Sequence, residues 1–297
     1  MNKRTSLLLM SILLIVSLLG LAACSTPGTP SSQPTSVAPA STSTPIPSAE
    51  PSASGAAKGA LKVGVKNNVV GFGFQDPLTN EYAGMEIDLA NLIAETLGYD
   101  GVEFTAVTAA TRTELLDAGT LDCVIATFTI TDERKKSWDF STPYYTDAVT
   151  VLVEKASGIT KLADLMGKKI GVSTSSTSAK ALALALAEAK LIDAFDTSAD
   201  FVPSTFAGGV TFTEFADYPS ISSALTAGTV DAFCVDKSIL ATYASQDRTY
   251  IAESFSPQNY GVATKKGAEL SGQIDELVKG WLADGTIAGL VSKYKLN

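Results

Sequence analysis

The fold is decided by two similar stretches: residues 118–127 read AGTLDCVIAT, and residues 227–236 read AGTVDAFCVD. Each begins with residues typical of a helix end and continues as an apolar run typical of a buried strand. Each then ends on a polar residue, Thr127 in the first and Asp236 in the second. One match of this length carries little weight alone, so the segments around the two stretches decide whether the chain contains a repeat.

Strand and helix patterns alternate in the same order ahead of both stretches. The expected strands are LKVGV (61–65), VEFTAV (102–107), KKIGVS (168–173) and TFTEF (211–215). Helical spacing of apolar residues predicts helices between them at 84–98, 111–119, 178–190 and 218–228. Two β-α-β-α-β halves predict an α/β fold of two similar lobes, each with a mainly parallel sheet. The segment 264–297 reads as largely helical, with no further strand, and is expected to return to the first lobe.

The N-terminus has the layout of a secretory signal peptide. Lys3 and Arg4 precede an apolar run from Leu7 to Ala23. A membrane-spanning anchor is the alternative, because the run is near the lower length limit for crossing a bilayer. The last residues, LAAC at 21–24, resemble the lipobox of bacterial lipoproteins, which implies removal of residues 1–23 and a lipid such as palmitate on Cys24. The expected location is the outer face of the cell membrane in a Gram-positive-like envelope, with an outer membrane as the alternative.

Composition separates a tether from a folded region and excludes several functions. Residues 24–60 are mostly Ser, Thr, Pro, Ala and Gly, which predicts a disordered tether. The expected lobes are 61–150 with 261–297, and 151–260. The chain has no histidine, which excludes Ser-His-Asp and Cys-His catalysis and most zinc sites, so no cofactor or metal is expected.

Charge and cysteine placement add two expectations. Removing the two basic residues of the signal peptide from the chain's 22 leaves 20 against 31 acidic residues, a net charge of −11. This charge argues against a nucleic-acid partner. Cys123 and Cys234 each lie inside an apolar run, which predicts two separate buried thiols rather than a disulfide.

A ligand site is predicted where the strands end, because ligands of such sheets bind at the carboxyl ends of the strands. Residues 126–134, ATFTITDER, place Thr127, Thr129 and Arg134 at the tip of one strand, while Asp236 ends its counterpart. An arginine binds a carboxylate through two parallel hydrogen bonds, and aspartate and threonine oxygens accept from an ammonium group. These residues predict a site for an α-amino acid between the lobes.

Longer motifs resemble the extracellular solute-binding proteins, family 3, of polar amino-acid ABC importers. The matching segments are GMEIDLA (84–90), ATFTITDERKKSWDFSTPYY (126–145), YPSISSALTAGTVDAFCVDKS (218–238) and WLADGTIAGL (281–290). The resemblance covers nearly all of 61–297 and implies a type II periplasmic-binding-protein fold, two α/β lobes joined by a two-stranded hinge. It implies crossings near 148–153 and 259–264. It also implies a non-enzymatic protein that closes over an amino acid and delivers it to a membrane permease, and we expect a monomer.

The resemblance assigns roles to residues of the predicted site. Arg134 would bind the α-carboxylate, supported by the backbone of Thr129. The backbone N–H of Thr177, at a helix start, would add a donor to that carboxylate. Asp236 and Thr127 would bind the α-ammonium group.

The aspartate/glutamate-binding branch shares the most short motifs, namely VGVK (63–66), TR (111–112), FADYPS (215–220), VDKS (235–238) and SPQNYG (256–261). In that branch the positions of Lys66 and Arg112 face the side-chain carboxylate, and those of Tyr218 and Tyr260 add hydrogen bonds. Phe128 is a candidate wall of the pocket. The expected ligand is therefore L-glutamate or L-aspartate.

Structural and functional alternatives stay open at this point. Lys66 and Arg112 could instead be solvated surface side chains. Arg134 could pair with nearby acids, and Asp236 could cap a helix. The functional alternatives are a binder of glutamine or cystine, a dehydratase-like enzyme on the same fold, and a sensor lobe. The segment 191–210 is longer than the family usually carries at this point. It is expected to form either a surface excursion or a contact with the transporter.

Overall fold

The computed structural model describes residues 58–296. The predictions for the signal peptide, Cys24 and the tether up to residue 57 lie outside the described residues. Among residues 58–296, none of the helices combines the length and the apolar character needed to span a bilayer.

Residues 58–296 form strands β1 (Ala60–Val65), β2 (Asn68–Val69), β3 (Gly73–Gln75), β4 (Tyr82–Ala83), β5 (Gly101–Ala106), β6 (Cys123–Ile125), β7 (Trp138–Phe140), β8 (Tyr145–Glu154), β9 (Lys169–Ser173), β10 (Thr211–Phe215), β11 (Ala232–Asp236), β12 (Arg248–Tyr250), β13 (Phe255–Tyr260) and β14 (Ala263–Lys265). The α-helices are α1 (Met85–Thr96), α2 (Thr111–Asp117), α3 (Asp132–Ser137), α4 (Ser178–Glu188), α5 (Tyr218–Thr226), α6 (Lys237–Ala241), α7 (Glu269–Ala283) and α8 (Thr286–Lys293). Short 3₁₀ helices lie at Lys155–Ser157, Leu162–Leu165 and Pro203–Thr205.

The first lobe is built on a sheet with the order β5-β1-β6-β14-β7. Strand β1 pairs in parallel with both β5 and β6, whereas β14 runs antiparallel to β6 and β7. Val63 of β1 packs in one hydrophobic cluster with Ile93 of α1, and Val124 of β6 packs in another with Leu116 of α2. Helices therefore cover both faces, which explains why these strands are apolar nearly throughout.

The second lobe repeats this design. Its sheet has the order β10-β9-β11-β8-β12, with β13 paired on β8. Strand β9 pairs in parallel with β10 and β11, as β1 does with β5 and β6. In both lobes the second strand of the half, then the first, then the third lie side by side. The two α/β halves read from the sequence are confirmed.

Two antiparallel strands, β8 and β13, form the hinge between the lobes, with Tyr145 opposite Tyr260. The chain leaves the first sheet after β7 and enters the second at β8, so the first crossing lies at 141–144. The predicted crossing near 148–153 was wrong, because residues 149–153 already pair with β11 and β12 inside the second sheet. The second crossing, between β13 and β14, agrees with 259–264.

Strand β14 was not predicted from the sequence. The segment from 264 was read as helical, yet β14 extends to Lys265 and joins β6 to β7. It has only three residues, too few to show a period in the sequence.

Residues 191–210 form a surface excursion of the second lobe with one 3₁₀ turn. Phe195, Phe201 and Phe206 pack on one another with ring centres 5.3–5.8 Å apart. Phe201 and Phe206 also contact Phe212 of β10, at 6.0 and 5.5 Å. The excursion is thus anchored to the sheet by an aromatic cluster.

Cys123 of β6 and Cys234 of β11 are both free and buried, as predicted. Each occupies the same place in its half, inside the third strand of the parallel set. Burial raises the pKa of both thiols well above the ordinary value.

Candidate functional site

The tip of strand β6 is held in a strained conformation by a buried carboxylate. Thr127 has a φ of 43°, in the left-handed region that a β-branched residue rarely adopts. Its backbone N–H donates to Glu86 Oε1 at 2.6 Å. Glu86 lies in the first turn of α1 with none of its surface exposed, and Tyr144 donates its hydroxyl to the same oxygen at 2.6 Å. The surrounding packing therefore fixes this strand tip.

Phe128 stacks with two guanidinium groups. The central carbon of Arg112 lies 3.7 Å from the centre of the Phe128 ring, and that of Arg134 lies 4.7 Å from it. Arg112 also donates to the carbonyl oxygen of Ala126 at 3.0 Å, and Arg134 to that of Thr129 at 2.7 Å. Backbone acceptors and cation–π contacts thus hold both cations at the strand tip.

Arg134 also reaches the second lobe, where its second terminal nitrogen donates to the carbonyl oxygen of Ser175 at 3.1 Å. The neighbouring acids Asp132 and Glu133 pair with Lys135 and Lys136 instead. The reading of Arg134 as a partner of these acids is therefore wrong. Burial and the nearby Arg112 lower the pKa of Arg134 to about 9.

Lys66 is a buried cation beside an aromatic ring. It follows β1, is 2% exposed, and forms no hydrogen bond or ion pair with the residues in 58–296. Its ammonium nitrogen lies 5.2 Å from the centre of the Tyr218 ring, which is also buried. Burial, followed by repulsion from Arg112, lowers the pKa of Lys66 well below the ordinary value. The alternative of a solvated lysine is wrong, and so is that of a surface arginine, because Arg112 is 3% exposed.

The second lobe contributes Asp236, the last residue of β11, which is 4% exposed. Tyr260 of the hinge donates its hydroxyl to Asp236 at 2.6 Å and contacts Asp147 at 3.2 Å. Desolvation raises the pKa of Asp236 to about 7, although the bond from Tyr260 opposes that rise. Tyr260 was predicted to add a hydrogen bond to the ligand, and in the structure its hydroxyl donates to Asp236.

Thr177 precedes α4, but its side chain does not cap that helix. Its hydroxyl donates instead to Gln258 Oε1 at 2.8 Å. The first N–H groups of α4 therefore receive no side-chain acceptor from Thr177, and a helix N-terminus in this state favours an anion.

Seven of the ten predicted ligand-binding residues line one small cavity, whereas Lys66, Phe128 and Tyr260 do not. It is lined from both lobes by Arg112, Thr127, Thr129, Arg134, Thr177, Tyr218 and Asp236. Lys66 lines a second narrow space, and Tyr218 lines both spaces. A more open cleft of about 920 Å³ adjoins Thr129 and Thr177 and extends to residues 197–203 of the excursion. Among residues 58–296, no three His, Cys, Asp or Glu side chains meet in a cluster that would hold a metal ion.

Sequence reasoning missed Glu86, Tyr144 and Gln258. Glu86 lies between Met85 and Ile87, which are both buried, so its place within GMEIDLA gave a signal that the acid points inward. Tyr144 and Gln258 lie at the crossings between lobes, where no periodic pattern marks a site.

Two α/β lobes joined by two antiparallel strands, with charged side chains from both lobes around one cavity, define a two-lobed ligand-binding protein with the type II periplasmic-binding-protein fold. Residues 61–297 match the family model of bacterial extracellular solute-binding proteins, family 3. The chain belongs to this family.

Individual relatives differ in the ligand that their names give. The chain is 30% identical over 237 residues to the ABC transporter glutamine-binding protein GlnH of Bacillus subtilis (strain 168), covering 78% of this chain and 79% of that protein. It is 29% identical over 249 residues to the glutamate-binding protein GluB of Corynebacterium glutamicum, covering 78% and 77%. The solved structure of an ancestral arginine-binding protein bound to arginine is 32% identical with a TM-score of 0.67, covering 80% of this chain and 98% of that one.

Proposed function

We propose that this protein is the substrate-binding subunit of an ABC importer and captures an acidic L-amino acid, glutamate or aspartate, by closure of its lobes. One observation carries the acidic preference. Three cations surround the site, the buried Lys66 and Arg112 and the partly buried Arg134, against two buried carboxylates, Glu86 and Asp236. An amino acid with a side-chain carboxylate balances this excess.

The α-carboxylate and α-ammonium groups of the ligand pair with one cation and one anion of the site. Arg134 and the start of α4 provide donors for the α-carboxylate, and Asp236 provides an acceptor for the α-ammonium group. Both lobes contribute, so ligand binding favours the closed arrangement by the difference between its affinities for the two states.

The ligand side chain then meets Lys66, Arg112 and Glu86. When all three are ionised they leave one positive charge in a site that excludes water. Glutamine would leave this charge unmatched, at a cost of ~2–5 kcal/mol for a desolvated pair. At ~1.4 kcal/mol per tenfold, the acids should bind roughly 30-fold more tightly or better.

Glutamine is the second candidate. The same burial that makes Lys66 a strong partner for a carboxylate lowers its pKa. A neutral Lys66 leaves Arg112 and Glu86 in balance, and an amide side chain then suits the site. The glutamine-binding relative from Bacillus subtilis is in line with this candidate.

The site supports binding rather than catalysis. A dehydratase on this fold needs an acid free to transfer a proton, whereas Asp236 accepts from Tyr260 and faces the expected ammonium group. Incubation with prephenate or arogenate should give no product, and turnover of either would favour the enzyme.

The lipid anchor is part of the same proposal. Cleavage before Cys24 and lipidation of its thiol would leave residues 24–60 as a tether that keeps the binding protein near its permease. Mass spectrometry of membrane-extracted protein should find a lipidated N-terminal Cys24. An unmodified Cys24, or cleavage elsewhere, would refute the anchor.

Isothermal titration tests the ligand. Glutamate, aspartate, glutamine, cystine and histidine are compared at pH 7.5 with the same preparation. We expect one or both acids to bind most tightly. Glutamine binding as tightly as both acids would overturn the acidic preference, and the absence of binding by every amino acid would overturn the function.

A further inference from the structure

Gln258 lies in hinge strand β13, and its side chain is 2% exposed. Its amide nitrogen donates to the carbonyl oxygen of Ser256 at 2.8 Å and contacts the Ser256 hydroxyl at 3.3 Å. A carbonyl oxygen can only accept, so the nitrogen must face Ser256 and the amide oxygen must face the opposite way. The backbone therefore fixes the orientation of this amide.

The amide oxygen of Gln258 accepts one hydrogen bond from each lobe. The Thr129 hydroxyl donates from the first lobe and the Thr177 hydroxyl from the second, both at 2.8 Å. A hydroxyl has one proton and two acceptor lone pairs, so both threonines have used their only donor. Toward the cavity that they line, these hydroxyls can only accept.

We propose that Gln258 is a positioning residue that makes the hydroxyls of Thr129 and Thr177 acceptors for the ligand's α-ammonium group and couples the two lobes through one oxygen atom. The proposal rests on the proposed function and deepens it. An ammonium group has three N–H donors, and Asp236 with the two hydroxyls gives it three acceptors. The α-carboxylate is left to donors such as Arg134.

This role predicts a preference for α-amino acids over α-hydroxy acids. An α-hydroxy acid keeps the carboxylates of an amino acid but has one donor in place of three. A site of fixed acceptors therefore favours the amino acid. Without the amide of Gln258, the threonine hydroxyls can turn and donate to the hydroxyl oxygen of such a ligand. The preference for the amino acid should fall, whereas a mere loss of packing would weaken both ligands by the same factor.

The test compares wild type with Gln258→Met, which keeps the length of the side chain and removes the acceptor. Titration with L-glutamate and L-2-hydroxyglutarate gives the ratio of their affinities, and we expect the variant to lower it about tenfold, the worth of ~1.4 kcal/mol. L-Glutamine and its 2-hydroxy counterpart are used if wild type binds glutamine more tightly. Asn259→Leu is the matched control, because Asn259 accepts from Thr146 at 2.8 Å on the exposed side of the same strand. Its ratio should equal that of wild type.

Further variants separate the polar role from packing. In a Thr129→Val/Thr177→Val background, Gln258→Met should change the ratio no further. Gln258→Leu repeats the test if thermal denaturation shows that the methionine variant does not fold. If wild type binds its amino acid and Gln258→Met leaves the ratio unchanged, the role of Gln258 is refuted and the proposed function stands. If wild type binds no amino acid, both the proposed function and the role of Gln258 are refuted.

Discussion

Replacing Asp236 by asparagine should stabilise the ligand-free protein and weaken amino-acid binding at the same time. The Asp236 carboxyl is buried, and its pKa is raised to about 7 from an ordinary value of 3.8, chiefly by desolvation. A carboxyl whose pKa is raised in the fold destabilises the fold when it is ionised. Asparagine has nearly the same shape, carries no charge, and can still accept from Tyr260.

The size of the effect follows from the pKa and depends on pH. Below pH 3.8 the carboxyl is neutral in both the folded and the unfolded states, so it contributes nothing. Between pH 3.8 and about 7 the folded state holds a proton that the unfolded state has lost, so the stability falls as the pH rises. At ~1.4 kcal/mol per pH unit, the penalty removed by Asp236→Asn reaches up to ~2 kcal/mol at pH 5 and ~4 kcal/mol at pH 8.

Calorimetry of the ligand-free protein at pH 5 and pH 8 measures this penalty. With roughly 2–4 °C per kcal/mol for a protein of this size, the melting temperature at pH 8 should rise by roughly 8–16 °C, and by less at pH 5. Asp217→Asn is the control, because Asp217 caps α5 through Ser220 and asparagine caps as well as aspartate. A melting temperature for Asp236→Asn that stays unchanged or falls at pH 8 would refute the reasoning. Binding of the amino acid by this variant should weaken by roughly 30-fold or more, the worth of ~2 kcal/mol.

Four more predictions concern the ligand. Lys66→Met should lower the preference for glutamate over glutamine by roughly 30-fold in titration, while Lys62→Met, at an exposed position of the preceding strand β1, should leave it unchanged. Arg112→Ala should weaken the acids far more than glutamine, whereas Arg134→Ala should weaken every amino acid alike; equal losses for both variants would contradict these roles. Amino-acid binding at pH 6 should release protons, because Asp236 is neutral in the free protein at this pH and ionised beside an ammonium group. Titration in buffers of different ionisation enthalpy measures the number of protons released, and proton uptake would contradict the prediction. Small-angle scattering should show compaction with saturating ligand, and identical curves would count against closure.

The long elements of the fold could be predicted because their own residues carry the pattern. The run KKIGVS predicted β9 (Lys169–Ser173), and the alanine- and leucine-rich segment after it predicted α4 (Ser178–Glu188). Gly98, expected at the end of α1, has the positive φ of a helix-terminating glycine. Strands β7, β12 and β14 have three residues each and exist only because a neighbouring strand offers its edge, so no local signal marks them.

The residues of the site also differ in whether the sequence alone predicts them. Arg134 and Asp236 could be predicted, because both follow apolar runs whose ends must meet at one edge of a sheet. Glu86 was missed despite its apolar neighbours Met85 and Ile87, because an acid in the first turn of a helix ordinarily complements the helix dipole in solvent. Its burial depends on Thr127 and Tyr144, which are 41 and 58 residues away along the chain. Such contacts appear only once the lobes are assembled.

The two buried thiols make the protein suited to optical detection of its ligand. Cys123 and Cys234 have none of their surface exposed, and burial keeps both thiols protonated at neutral pH, so a dye that attacks thiolates will leave them unmodified. A single cysteine placed by Lys136→Cys, at an exposed position on the rim of the open cleft, would then be the reactive thiol of residues 58–296. A fluorophore attached there would sense movement of the opposite rim without replacement of either native cysteine.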